Sequence, residues 1–270
     1  MSLDVYISLT TIPSRIKRVL RENLEDLLLQ TYPVKGIIIT IPRSNMRGQA
    51  VDTTLPEWLQ EEPFASRVTI LQPEQDFGPI LKYIGGKDIV PPGAWVFACD
   101  DDQRYVHTGI ADWIAEFDAN LQQTDILNAA WSMEPASRFG FELISGYTGV
   151  LFSRAFMDVI LASFDPSLPL HALRIDDDLV SLYARDNGFR KQVAPMIMDF
   201  AHFVATGGEG TDSLTFSFNR LRDRHRTHSR MNPNYVQKLQ SLVVIAGTLT
   251  GVIVVATVAS MAWGCGARKT

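Results

Sequence analysis

Cysteine is almost missing from this chain. Only Cys99, inside an apolar run, and Cys265 occur among 270 residues, which excludes a disulfide-stapled scaffold and a cysteine-based zinc site and suits a reducing compartment. An excess of positive charge is missing too. Lys and Arg number 25 against 30 Asp and Glu, a net charge of −5, so the chain as a whole offers nucleic acid no electrostatic attraction. There is no internal repeat and no low-complexity segment, and 46% hydrophobic with 20% charged residues is the composition of a folded globular chain. The opening stretch MSLDVYISLTTIPSR has neither a basic leader nor a long apolar run, so no secretory signal is expected.

One long uncharged run is present. Leu242 to Trp263 holds 22 residues without a charge, which as a helix would reach roughly 33 Å, enough for a bilayer core. A core helix would keep a polar face, whereas here only Thr and Ser are scattered around the helix, so a transmembrane span is expected. Gly247 and Gly251 add a weak helix-pairing pattern. Arg220, Arg222, Arg224, Arg226, Arg230 and Lys238 precede the run and only Arg268 and Lys269 follow it. The positive-inside rule then places the N-terminal body in the cytosol, as a single-pass tail anchor. The arginines read as a solvated linker or as a patch held against anionic lipid. The expected divisions are a body over 1–218, a basic juxtamembrane linker over 219–241, the span over 242–263 and a short tail over 264–270.

Within the body, β-branched runs alternate with amphipathic stretches. VYISL at 5–9, GIIITI, RVTILQ at 67–72 and AWVFACD at 94–100 read as strands, and SRIKRVLRENLEDLLLQ reads as one helix with Ile16, Leu20, Leu24, Leu27 and Leu28 on its apolar face. This alternation predicts an α/β fold, a mostly parallel sheet with helices on both faces, whose ligands sit at the carboxyl ends of the strands.

Asp100, Asp101 and Asp102 follow the apolar run AWVFAC directly. Three adjacent carboxylates repel one another, and a cation would relieve that cost. In an extended or tightly turned segment Asp100 and Asp102 point the same way, and together they can share a divalent metal, Mg or Mn by the hardness of their oxygens. The plainer alternative is a solvated acidic turn. A second triplet, Asp176, Asp177 and Asp178, opens a helical pattern that Gly188 ends. The helix dipole favours acids there, yet capping needs only one or two, which leaves one to act as a general base.

Between strands, Asp76, Gly78, Pro79 and Lys82 stand together, and the Gly-Pro break aims a helix start and Lys82 at one place, fit for a phosphate or a nucleotide edge, or simply a loop junction with an exposed lysine. Thr10, Thr11, Pro13, Ser14 and Arg15 form a polar turn after the first strand, where Arg15 can clamp a phosphate or carboxylate bidentately. His107 and His171 lie in polar surroundings without an evident partner, whereas His202 ends the last strand-like run and either completes a metal shell or is structural. Gly146 and Gly149 in GYTG, with Tyr147 between them, permit close approach of backbone to a ligand, or a turn.

The ordered set, TT-P-SR, D-F-G-P-x-x-K, DDD after a strand, GYTG, an acidic helix start and a late His, resembles the GT-A glycosyltransferases over about residues 3–205. More narrowly it looks like the compact glycosyltransferase domains of large algal viruses. The resemblance implies a GT-A-like sheet flanked by helices and transfer of a sugar from a nucleoside-diphosphate sugar, a UDP-sugar foremost, to a hydroxyl of a glycan or glycoconjugate with inversion. It implies Mn2+ or Mg2+ on Asp100, Asp102 and His202. Thr10, Thr11, Arg15, Asp76, Lys82, Asp100 and Asp101 match donor-nucleotide positions, Gly146, Tyr147 and Gly149 the sugar and acceptor loop, and Asp178, or Asp177 beside it, the base. Two further readings are a degenerate, membrane-tethered nucleotide-sugar binding module and a metal-dependent phosphoesterase. A phosphatase of the haloacid dehalogenase kind would need an Asp after the first strand, where Leu9, Thr10 and Thr11 stand.

Overall fold

The computed structural model describes residues 3–17, 19–46, 50–117, 121–129, 143–168, 170–173 and 175–198. The chain divides into two units, Met1–Arg224 and His225–Thr270, and every described residue belongs to the first. The expected span over 242–263, the basic linker and His202 lie outside the described residues; among those described, no helix is long and apolar enough to cross a membrane.

Seven strands form one sheet in the order β3-β2-β1-β4-β6-β5-β7. They are β1 (Val5–Thr10), β2 (Gly36–Thr40), β3 (Val68–Leu71), β4 (Trp95–Ala98), β5 (Asp125–Ala129), β6 (Val150–Ser153) and β7 (Arg190–Ala194). All neighbouring pairs are parallel except β4 with β6 and β5 with β6, so β6 alone runs against the rest, and the expectation of a mostly parallel sheet holds.

The central strands are apolar on both faces because both are covered. Ile7, Leu9, Ile37, Ile39, Phe97 and Leu151 point to one side, where they pack with Ile16 of α1 (Pro13–Ile16), Leu20, Leu24 and Leu27 of α2 (Leu20–Leu28) and Trp113 of α5 (Gly109–Phe117). Ile38, Val96, Ala98, Ile126 and Phe152 point to the other side. There they meet Tyr83 of α4 (Leu81–Ile84), Phe156 and Ile160 of α6 (Arg154–Ser163) and Leu179 and Tyr183 of α8 (Asp176–Asp186). At about 1.5–3 kcal/mol for each large side chain buried, these two clusters drive the layering. The remaining helices are α3 (Phe64–Arg67) and α7 (Leu170–Leu173).

Two local expectations change. The single helix expected after the first strand is two, because Val19, at φ −126° and ψ −20°, leaves the helical region before α2 begins. The Gly-Pro break starts a 3-10 turn over Gly78–Ile80 that runs directly into α4, with Gly78 at φ +77°. β7 was not evident in the sequence: as an edge strand it carries exposed Arg190 and Val193 and lacks an apolar run.

Candidate active site

The register of the sheet builds the site. β1 pairs with β4 as Ser8 to Ala98, and the Cys99 amide donates to Ser8 O at 3.1 Å, so the polar turn after β1 emerges beside the first acidic triplet. Strand order reverses here, with β2 and β4 on either side of β1, the place where open α/β sheets hold ligands. Since β6 is antiparallel to β4, with Val150 opposite Ala98, the loop that enters β6 opens onto the same edge.

The first triplet lies in a turn, and its members meet different cations. Asp101 and Asp102 share Arg15: Nη1 lies 2.6 Å from Asp101 Oδ1 and Nη2 lies 2.9 Å from Asp102 Oδ2. Thr11 Oγ1 donates to the other oxygen of Asp101. Asp100 goes elsewhere, accepting from Lys82 Nζ at 2.7 Å. The same ammonium lies 2.9 Å from Asp176 Oδ2, and Lys82 is only 3% exposed, so the exposed lysine of the plainer alternative is excluded. Thr10 Oγ1 donates back into the sheet, to Thr40 O at 2.9 Å. Asp76 folds onto its own loop, accepting from the Gly78 amide at 2.7 Å.

The second triplet occupies the first turn of α8, as its position before Leu179 implies. Its three members do different things. Asp176 faces Lys82, Asp177 Oδ1 accepts from the Gly146 amide at 2.9 Å, and Asp178 is fully buried. Gly146 is required to be glycine by proximity, since a Cβ there would collide with Lys82 Nζ and stand 3.0 Å from the Tyr83 hydroxyl. Gly149 is required by conformation, at φ +85° against the Phe97 ring. Tyr147 contributes its carbonyl, which accepts from the Tyr105 hydroxyl at 2.9 Å; that hydroxyl accepts in turn from the Asp100 amide at 3.2 Å.

Carboxylates of both triplets thus meet two cations, Asp101 and Asp102 at Arg15, and Asp100 and Asp176 at Lys82. Burial, reinforced by the charges of Asp101 and Asp100, raises the Asp102 carboxyl to about 7, against the pull of Arg15. Burial also raises Asp101, with Arg15 and Thr11 opposing. For Lys82, burial pulls the ammonium down, but the charges of Asp100 and Asp176 outweigh it and hold the pKa well above the ordinary lysine value. Burial raises Asp76, opposed by its bond from the Gly78 amide. An oxygen-only donor set with surplus negative charge suits a hard divalent cation. Asp100 and Asp102 have the more open side chains, 31% and 16% exposed. Among the described residues, no three His, Cys, Asp or Glu side chains are arranged as a metal shell, and His202 is not among them.

Four residues of this assembly escaped sequence reasoning. Asn23, on the apolar side of α2, donates to Gln103 O and, at 3.4 Å, to Asp100 O, holding the turn. Asn128 and Ser181 tie down the segment entering β6, and Tyr105 links it to Asp100. The available signal was a polar residue at an apolar position: Asn23 between Leu20 and Leu27, and Asn128 within DILNA. His107, expected without a partner, lies 3.1 Å from Asp26 Oδ1, away from the site.

No family model matches the sequence, and no curated protein matches it. Solved structures do. The mannosyltransferase PcManGT from Pyrobaculum calidifontis, in complex with GDP-Man and Mn2+, aligns over 100% of this chain and 82% of its own, with a TM-score of 0.54 at 13% identity. TarS from S. aureus aligns over 72% of this chain and 35% of its own, with a TM-score of 0.47 at 18% identity, too distant a likeness to argue from. Neither bears on the narrower likeness to algal-virus domains. What the Pyrobaculum enzyme shares with this chain is the fold, and the described unit is accordingly a seven-stranded, mixed α/β domain folded like that mannosyltransferase.

Proposed function

We propose that this domain transfers a sugar from a nucleoside-diphosphate sugar to an acceptor hydroxyl on a glycan or glycoconjugate, with a divalent cation. The observation that carries the reading is the meeting of two acidic triplets, from the end of β4 and the start of α8, around Lys82 at the carboxyl edge of the sheet. A phosphatase of the haloacid dehalogenase kind would need an Asp nucleophile after β1, where Thr10 and Thr11 stand.

In this reading Asp100 and Asp102, with His202, would hold Mn2+ or Mg2+, which would supply countercharge to a nucleoside diphosphate. Arg15 aligns Asp101 and Asp102 and presents its guanidinium, itself partly exposed, to the diphosphate. Asp76 and the backbone around Gly78 border the nucleotide. The proton of the acceptor falls to Asp178, or to Asp177 beside it, both in the first turn of α8. In this reading the transfer is inverting, one displacement at the anomeric carbon that requires no covalent intermediate. Residues 242–263 attach the chain to a membrane with the domain on the cytosolic side, a reading supported by the uncharged run and the arginines before it.

The test is thermal unfolding of the full chain in detergent with UDP-, GDP-, CMP- and dTDP-sugars, each with and without Mn2+. A UDP-sugar is the first to try, and GDP-mannose, the ligand of the Pyrobaculum complex, stands beside it. A donor at 100 times its Kd adds about 2.7 kcal/mol, a visible rise in Tm. A Mn2+-dependent rise with one nucleotide class supports the reading and names the donor for a transfer assay; no rise with any donor overturns it, and a rise without turnover points to a binding module.

A further inference from the structure

We propose that Asn128 is a positioning residue that sets the shape of the sugar side of the cleft through the loop 145–149. The tether itself is in the structure; what the loop touches rests on the glycosyl-transfer reading.

Asn128 sits in β5 among Ile126, Leu127 and Ala129, and is fully buried. An amide at the centre of a sheet is unfavourable unless its donors and acceptor are met. All of them are met by one loop. The two hydrogens of Nδ2 are shared among Ser145 O at 2.9 Å, Thr148 Oγ1 at 3.0 Å and Gly149 O at 2.8 Å, while Oδ1 accepts from the Ser145 amide at 2.9 Å. Both ends of the loop therefore close on a single side chain. Between them the backbone makes a 3-10 turn over Gly146–Thr148 and leaves it through Gly149 at φ +85°.

The outer side of the same loop meets both acidic triplets. The Gly146 amide is held by Asp177, and the Tyr147 carbonyl is joined through the Tyr105 hydroxyl to the Asp100 amide. The loop spans the two acidic triplets, and Asn128 anchors it from the side of the sheet without reaching the cleft. In the glycosyl-transfer reading an anchor so placed governs the sugar side of the site, while Arg15 and Asp76 are held by other elements, at Asp101 and Asp102 and at the Gly78 amide.

The experiment uses the full chain in detergent and N128D, whose carboxylate would face the carbonyls of Ser145 and Gly149 without a hydrogen to offer. Kd values are measured in Mn2+ for two pairs of probes, UDP with UDP-glucose and GDP with GDP-mannose, and amide exchange is followed in the loop and in β4. In N128D the plain nucleotides are expected to keep their affinity within about threefold, while the sugar nucleotide that the wild type prefers loses tenfold or more. The Gly146 and Gly149 amides should exchange at least tenfold faster with β4 unchanged. A merely structural role would instead weaken both members of a pair alike and speed exchange in β4 as well, and that result overturns the proposal, as does unchanged exchange in the loop. If the wild type binds neither pair, the glycosyl-transfer reading loses its support and the tether is judged on exchange alone. Should N128D fail to fold, N128S, which keeps one uncharged hydrogen-bonding oxygen, takes its place.

Discussion

The Lys82 ammonium lies 2.9 Å from Asp176 Oδ2, with both side chains almost wholly buried, and so ties α4 to the first turn of α8. Removing one member of a buried ion pair leaves an uncompensated charge, which costs about 3–5 kcal/mol, more than the pair contributes over an apolar replacement. K82M should lose stability on that scale in urea unfolding, and K82M/D176N should recover a substantial part of it. A double variant as unstable as K82M would show that Asp176 is not the partner that matters.

Asp102 makes stability depend on pH in an unusual direction. Its carboxyl is raised from 3.8 to about 7, so the folded protein holds a proton that the unfolded chain releases. The contribution is complete below about pH 4 and is lost as pH rises through about 7. Tm measured from pH 5 to pH 8 at fixed ionic strength, without metal, should fall more steeply with pH in the wild type than in D102N. Parallel profiles would place the proton elsewhere.

Gly146 should not accept a side chain. G146A must push Lys82 off its two carboxylates or displace the loop, an overpacking cost of about 1–3 kcal/mol with loss of donor binding. G36A is the control, since its new methyl would meet only Arg67 O at an ordinary 3.5 Å. Comparable losses in the two variants would mean that crowding at Lys82 is not the cause.

The two triplets should separate by function. D102A, or EDTA added to the wild type, should abolish Mn2+-dependent binding of nucleoside diphosphates in calorimetry. D178N should bind them normally yet lose about 10²–10⁴ of the transfer rate, the range of a general base. Full transfer by D178N would move the base to another residue.

Those contrasts follow the line between what local pattern reveals and what it does not. Ile37, Ile38 and Ile39, or Trp95 to Ala98, announce strands because a strand buried on both faces must be continuously apolar, and the helix over Asp176–Asp186 announces itself by acids at its start and Gly188 beyond its end. Which cation each aspartate meets is not a local property. Arg15 lies on Asp101 and Asp102 because β1 and β4 are neighbours, and Lys82 reaches Asp176 because α4 and α8 cover the same face. Alternation along a strand reports which side is buried, not which strand comes next. The same blindness hid Asn128, whose partners begin at Ser145, beyond any periodic window. It also made an exposed Lys82 look as reasonable as a buried one.

The reversed direction of β6 has a geometric cost that the domain avoids. Four residues of strand cover roughly 13 Å. Had Val150–Ser153 run with its neighbours, the glycine loop would have opened on the far rim of the sheet, about that distance from Asp100, and the cleft would have only one wall. Turning one short strand over supplies the opposite wall, and leaves the other rim as the place where inserted sequence would disturb chemistry least.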